Sequence, residues 1–222
     1  MSRTSCVRVL EVVALVLASL AIPAAAVSQT GAVIEGTLAG DLGPAKKTAS
    51  RYPTGSAAAR SMQAVPAVAY LVGDGLGTGP AAVTLDVFQR DTAFAPSAIA
   101  IQTGTVVRFP NADRFFHNVY SYARNARFDL GRYPEGASRQ VVFAEAGIAR
   151  VFCEIHEFMR AVIVVTDHPF HAVVAEDGTF RIDGVPPGEH TLIVYHPDLG
   201  SLEERIVVGD RETVRLELAF GR

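Results

Sequence analysis

From Val33 onward this chain is a succession of short runs rich in Val, Ile, Thr and Phe, punctuated by Gly, Pro and Asp, with no long stretch of helical periodicity. That pattern restricts the chain to an all-β fold, because a helix needs ten or more residues patterned at period 3.6 and none is present. Strands are predicted at residues 32–38, 67–71, 82–89, 98–102, 105–109, 117–121, 138–143, 147–152 and 161–166, then at 172–175, 179–182, 188–195, 202–208 and 213–219. Glu176-Asp177-Gly178 predicts a tight hairpin between two of them. Residues 40–66, rich in Ala, Ser, Gly and Lys, predict a long surface loop, and the Gly-rich run 73–80 predicts a boundary.

The N-terminus is of another kind. A cationic stretch with Arg3 and Arg8, an apolar run from Val12 to Ile22, and Pro23-Ala24-Ala25-Ala26 read as a secretory signal peptide over residues 1–26, cut after Ala26 or Ser28. The run is too short to cross a hydrocarbon core of about 30 Å as a helix. A periplasmic or secreted protein, not embedded in the membrane, is expected. Without residues 1–26 the chain keeps 18 Lys and Arg against 22 Asp and Glu, a net charge of −4, and no basic footprint for nucleic acid.

Export makes the cysteine count informative. Of Cys6 and Cys153 only Cys153 survives cleavage, so no intramolecular disulfide can form. An unpaired thiol in an oxidising compartment is a liability unless it is buried or bound to a metal. Cys153 heads Cys153-Glu154-Ile155-His156-Glu157-Phe158-Met159, which puts a thiolate, an imidazole and a thioether within seven residues at the end of a predicted strand. Taken singly, a Cys or a Met of this kind is ordinary core and a His an ordinary surface residue. Together they match three of the four donors of a His₂Cys site with a weak axial Met, the set of blue-copper centres, which requires a second histidine from elsewhere. His117, 36 residues upstream on another predicted strand, supplies it. Zinc is the chemical competitor, but it seldom takes Met, and structural zinc prefers several thiolates.

Residues 81–167 resemble a cupredoxin domain of the amicyanin and plastocyanin type. The resemblance rests on Phe94-Ala95-Pro96, Ile99-Ala100-Ile101, Gly104-Thr105-Val106-Val107, Asn111-Ala112-Asp113, His117-Asn118-Val119 and the Cys-x₂-His-x₂-Met loop. The short loop is like that of amicyanin and of methylamine-utilisation-type exported cupredoxins; Pro110 before Asn111 departs from the pattern without touching a ligand. The resemblance implies one type 1 copper ion held by His117, Cys153, His156 and Met159. It makes His117 the buried imidazole and His156 the one whose far edge reaches the surface. Asn118 is expected to bridge its strand to the Cys loop. Phe116, Ile155 and Phe158 are candidates to keep water from the metal, and Ile155 and Phe158 to form a docking rim.

The rest of the chain resembles the carboxypeptidase-regulatory-like β-sandwich, through Glu176-Asp177-Gly178-Thr179-Phe180-Arg181-Ile182 and Val185-Pro186-Pro187-Gly188. The opening strands of such a module are read at Gly31–Gly36 and Ala67–Val72, ahead of the cupredoxin segment. The expected fold is therefore a cupredoxin Greek-key β-sandwich plus a smaller, transthyretin-like β-sandwich made of residues 31–72 and 168–222, discontinuous in sequence.

The expected function is an exported one-electron carrier with a redox protein as partner. The alternative is a non-redox copper protein for storage, delivery or structure in the cell envelope. No enzyme is expected, because four protein donors leave no open metal position, and His168, His171, His190 and His196 close no second site. Partner, pathway, reduction potential and oligomeric state are not set by these residues.

Overall fold

The computed structural model describes residues 31–40, 62–79 and 83–221; the leader at 1–26 and most of the loop at 40–66 lie outside the described residues. Among the described residues every regular element is a strand, and no helix is long and apolar enough to cross a membrane. Two strands come first, β1 (Ala32–Ala39) and β2 (Val68–Val72). Ten follow: β3 (Thr84–Asp86), β4 (Phe88–Arg90), β5 (Ala93–Ala95), β6 (Ala98–Gln102), β7 (Thr105–Pro110), β8 (His117–Ala123), β9 (Ala126–Tyr133), β10 (Ser138–Phe143), β11 (Gly147–Phe152) and β12 (Arg160–Thr166). The last five are β13 (His171–Val173), β14 (Thr179–Val185), β15 (Gly188–His196), β16 (Gly200–Val208) and β17 (Thr213–Ala219).

Strands β3–β12 make one sandwich. A five-stranded sheet, β6-β12-β11-β8-β9, faces the three-stranded sheet β10-β7-β3, with the β4–β5 hairpin beside them. Their inward residues, among them Val107, Phe109, Val119, Phe143, Val151 and Ile163, form one buried core. The expected strand at 82–89 is split at Val87, whose buried side chain faces that core while its N–H donates to the Arg108 carbonyl. β9 was not among the expected strands, because charged residues and Gly131 dominate its composition. It still obeys period two: Ala126, Phe128 and Leu130 pack on the core, and Arg127 and Asp129 face solvent.

The second sandwich is built from β14-β1-β17 and β13-β2-β15-β16. β1 is a middle strand, antiparallel to β14 and parallel to β17, and β2 lies between β13 and β15. Gly36 on β1 leaves room for an aromatic ring, since a Cβ there would lie 2.1 Å from Phe180. Asp177-Gly178 does form a tight turn, closed by the Gly178 N–H on the Ala175 carbonyl and the Ala175 N–H on the Thr179 carbonyl, but the strands on either side part beyond it. β13 pairs with β2 and β14 with β1, so the turn hands the chain from one sheet to the other.

β12 joins the halves and is buried on both faces. Ala161, Ile163 and Val165 point into the first core, while Val162 and Val164 meet Val65 and Val68, with Tyr70 and Tyr195 packed alongside. The two connections between the halves run side by side: the Gly79 N–H donates to the Asp167 carbonyl, and His168 Nε2 contacts the Leu71 carbonyl.

Candidate metal centre

His117 is the first residue of β8, and Cys153 directly follows β11; the two strands pair at Phe152 and Tyr120, which sets the residues side by side at one end of the five-stranded sheet. The chain then turns through His156 to Met159 before β12, the Met159 N–H donating to the His156 carbonyl at 2.9 Å. Cys153 Sγ lies 3.7 Å from His117 Nδ1 and 3.8 Å from His156 Nδ1, and the two Nδ1 atoms are 3.2 Å apart. Those separations leave a point about 2.1 Å from each atom, the length of a bond from a transition-metal ion to imidazole and close to that to thiolate. Among the described residues this is the one cluster of three or more His, Cys, Asp or Glu with metal-binding geometry.

Burial is graded as expected. His117, Cys153 and Met159 are buried and His156 is half-buried. Met159 belongs to the same buried cluster as Cys153.

The surroundings fix the donors' chemical state. His117 Nε2 is 2.9 Å from Asp113 Oδ2. A carboxylate only accepts, so Nε2 carries the hydrogen and the Nδ1 lone pair points at the centre. Burial alone would lower the His117 pKa, but the Cys153 sulfur and Asp113 outweigh it and raise it above the ordinary value. Burial pushes the Cys153 thiol up; His117 and the backbone N–H groups of Asn118, His156 and Ile155 aimed at the sulfur pull it below the usual range. Two imidazole nitrogens and a sulfur within 4.8 Å of one another make a compact set of nitrogen and sulfur donors. The residues present therefore fit a soft or borderline metal ion.

Asn118 Oδ1 accepts the Glu154 N–H at 3.2 Å, and its Nδ2 donates to Asp129 Oδ1 at 2.7 Å, so the side chain ties the Cys loop to β8 and β9. Asp113 carried no role in the sequence reading, although the Asp four residues before the His was a usable signal. Its carboxylate is held in turn by the N–H groups of Asp91 and Thr92 in the β4–β5 turn, at 2.7 and 2.9 Å. Burial pushes the Asp113 carboxyl up, but these donors and His117 bring it below the ordinary value. Asn111 shapes the same loop, accepting the Asp113 N–H and donating to the Phe115 and Tyr133 carbonyls.

The expected water-excluding trio is corrected in part. Phe158 is half-buried with its ring 5.9 Å from that of His156, but Phe116 is 56% exposed and Ile155 39% exposed. Phe116 leaves the core because the 112–116 loop is anchored through its backbone, which frees the aromatic side chains to face outward.

No protein-family model and no curated protein matches the sequence. Among solved structures the chain is similar to amicyanin from Paracoccus versutus, at 20% identity and a TM-score of 0.35, covering 44% of this chain and 98% of that one. It is similar to a purple cupredoxin from Nitrosopumilus maritimus, at 21% and 0.34, covering 37% of this chain and 99% of that one. A Cu-containing nitrite reductase from Thermus scotoductus SA-01 matches at 23% and 0.37, over 43% of this chain and 25% of that one. Strands β3–β12 form a β-sandwich that resembles a cupredoxin in fold, with His117 at the start of β8 and Cys153 just past the end of β11.

Proposed function

We propose that this protein is an exported one-electron carrier with a single type 1 copper ion bound by His117, Cys153, His156 and Met159. The observation that carries the reading is the convergence of His117 Nδ1, Cys153 Sγ and His156 Nδ1 on one point, with Met159 buried beside them. Copper, when bound, supplies the one-electron couple and the intense thiolate absorption of such centres.

What the chain contributes is constancy of geometry. Asp113 fixes the His117 ring, backbone N–H groups hold the sulfur, and Asn118 clamps the Cys loop to the sheet. Ligands that cannot rearrange keep the cost of changing oxidation state small. His156 is the proposed exit for the electron, being the donor that reaches the surface. Phe115, Phe116 and Ile155, exposed on the loops that carry the two histidines, offer an apolar rim on which a redox protein can dock. With four protein donors there is no place for a substrate, so the reading is of a carrier and not an enzyme. The other half is read as a regulatory-like β-sandwich that supports this site, and the signal-peptide reading of residues 1–26 supports a location in the periplasm or outside the cell.

Copper-loaded protein is expected to show strong visible absorption that Cys153→Ser abolishes, and to be reduced and reoxidised reversibly. Cu(II) bound without that band refutes the type 1 site. A band with no reversible reduction in the biological range refutes the carrier and leaves storage or delivery of copper.

A further inference from the structure

Met159 sits between Phe158 and Arg160, both tied to Gln63 ahead of β2, and Arg160 also to Asp198 of the second sandwich. On one side, the Gln63 N–H donates to the Phe158 carbonyl at 3.0 Å. On the other, Arg160 Nε donates to the Gln63 carbonyl at 2.8 Å, and the Arg160 N–H reaches Gln63 Oε1 at 3.4 Å. The Gln63 side chain is itself locked, exchanging hydrogen bonds with the backbone of Phe94 at 2.6 and 3.0 Å. Both terminal nitrogens of the Arg160 guanidinium bind the two oxygens of Asp198, which lies between β15 and β16. The Asp198 turn is preset, with the N–H groups of Asp198 and Leu199 directed at His196 Nδ1. Arg160 is 5% exposed and Asp198 is half-buried, so the pair is largely withdrawn from water.

Buried ion pairs are poor devices for stability, because desolvation offsets the attraction, and apolar side chains of like volume serve as well or better. Apolar packing is available close by, where Val162 and Val164 meet Val65 and Val68. A bidentate arginine–carboxylate pair supplies what methyl groups do not: a fixed orientation. The residue whose orientation it fixes is the neighbour of the axial donor.

We propose that the second sandwich is a brace for the axial side of the metal site, in which Asp198 and Gln63 are positioning residues that act through Arg160 and the Phe158 carbonyl to set where Met159 lies. This rests on the type 1 copper reading for its spectroscopic consequence, since a weak axial thioether tunes such a centre through its position. It gives the second sandwich a role in the chemistry of the first.

The test uses the full-length protein and four variants: Asp198→Asn, Arg160→Lys, the apolar pair Arg160→Met with Asp198→Leu, and Val194→Ala. Val194 is buried in the second core, makes none of the hydrogen bonds of the brace and serves as the control for lost stability. Two readouts are taken: the visible and electron paramagnetic resonance spectra of copper-loaded protein, and hydrogen exchange at the Gln63 and Arg160 amides of metal-free protein. Asp198→Asn and Arg160→Lys are expected to shift the spectrum and speed exchange at both amides about tenfold or more. The apolar pair is expected to regain folding stability without regaining the wild-type spectrum, and Val194→Ala to leave spectrum and local exchange as they were. The brace is refuted if the first two variants match wild type in exchange or in spectrum, or if Val194→Ala shifts both as they do. Should wild-type protein lack the thiolate band, the copper reading falls, and exchange at the two amides still decides whether the brace exists.

Discussion

Asp113 is where one residue controls the state of another. It is a buried carboxylate whose oxygens are occupied by two backbone N–H groups and His117 Nε2, so it both orients the ring and makes it a better donor. Asp113→Asn keeps the shape but loses the charge and one acceptor. It is expected to lower copper affinity by about 10- to 100-fold while keeping the visible band, as measured by competition with a chromogenic chelator. Asn118→Ala removes the tie between the Cys loop and β8; faster loss of bound copper to the same chelator is expected, with the donor set intact. An Asn118→Ala protein that releases copper at the wild-type rate would show that the tie is idle.

At the scale of elements, the sharpest packing constraint is on β1. A methyl at Gly36 would fall inside the Phe180 ring, and the middle strand of a three-stranded sheet has little freedom to move aside. Gly36→Ala is expected to cost about 1–3 kcal/mol in chemical denaturation, and a second change, Phe180→Leu, to recover part of it. The β12–β13 junction carries a pH dependence. Burial holds His168 and His171 below the ordinary histidine value of 6.5, with His190 lowering His168 further against the opposing charge of Asp167. The unfolded chain therefore takes up protons first, and the stability from these two groups is whole above 6.5 and is lost as pH falls from there toward their depressed folded values. The denaturation midpoint should drop across that window, and drop less in His168→Gln. An equal drop in the variant would mean that other groups carry the acid sensitivity.

At the scale of the molecule, the two sandwiches differ in what each needs. β1 and β2 are middle strands of the two sheets of the second sandwich, so a fragment of residues 168–222 keeps the β15–β16 pair but leaves β13, β14 and β17 without a strand partner. It is expected to be unfolded or aggregated by circular dichroism. Residues 81–167 hold every proposed copper donor and a complete core, and such a fragment is expected to fold and bind copper. It leaves Val162, Val164 and Ala98 uncovered, so it should self-associate in sedimentation, with Val162→Thr and Val164→Thr restoring a monomer. It also lacks Gln63 and Asp198, and its copper spectrum should differ from that of the whole protein. A cooperative unfolding transition from isolated 168–222 would overturn the discontinuous arrangement proposed for these halves.

The sequence by itself determined the fold class and marked the Cys153–Met159 loop as a candidate site, because both are written locally. Short apolar runs with turn residues between them admit strands and not helices, and Cys153, His156 and Met159 lie on one loop after a strand. β9 escaped because its inward residues Ala126, Phe128, Leu130 and Tyr133 alternate with Arg127, Asp129 and Arg132 and are interrupted by Gly131, so no apolar run marks it. The Asp177-Gly178 turn was legible as a turn, but nothing near it says which sheet each flanking strand joins, and that depends on partners more than a hundred residues away. Only the tertiary structure decided that Phe116 faces solvent and that Asp198 grips Arg160 beside Met159. Contacts of this kind join segments that the chain order keeps apart. They exist because packing both faces of β12 brings those segments to one place, and no local pattern of residues encodes that meeting.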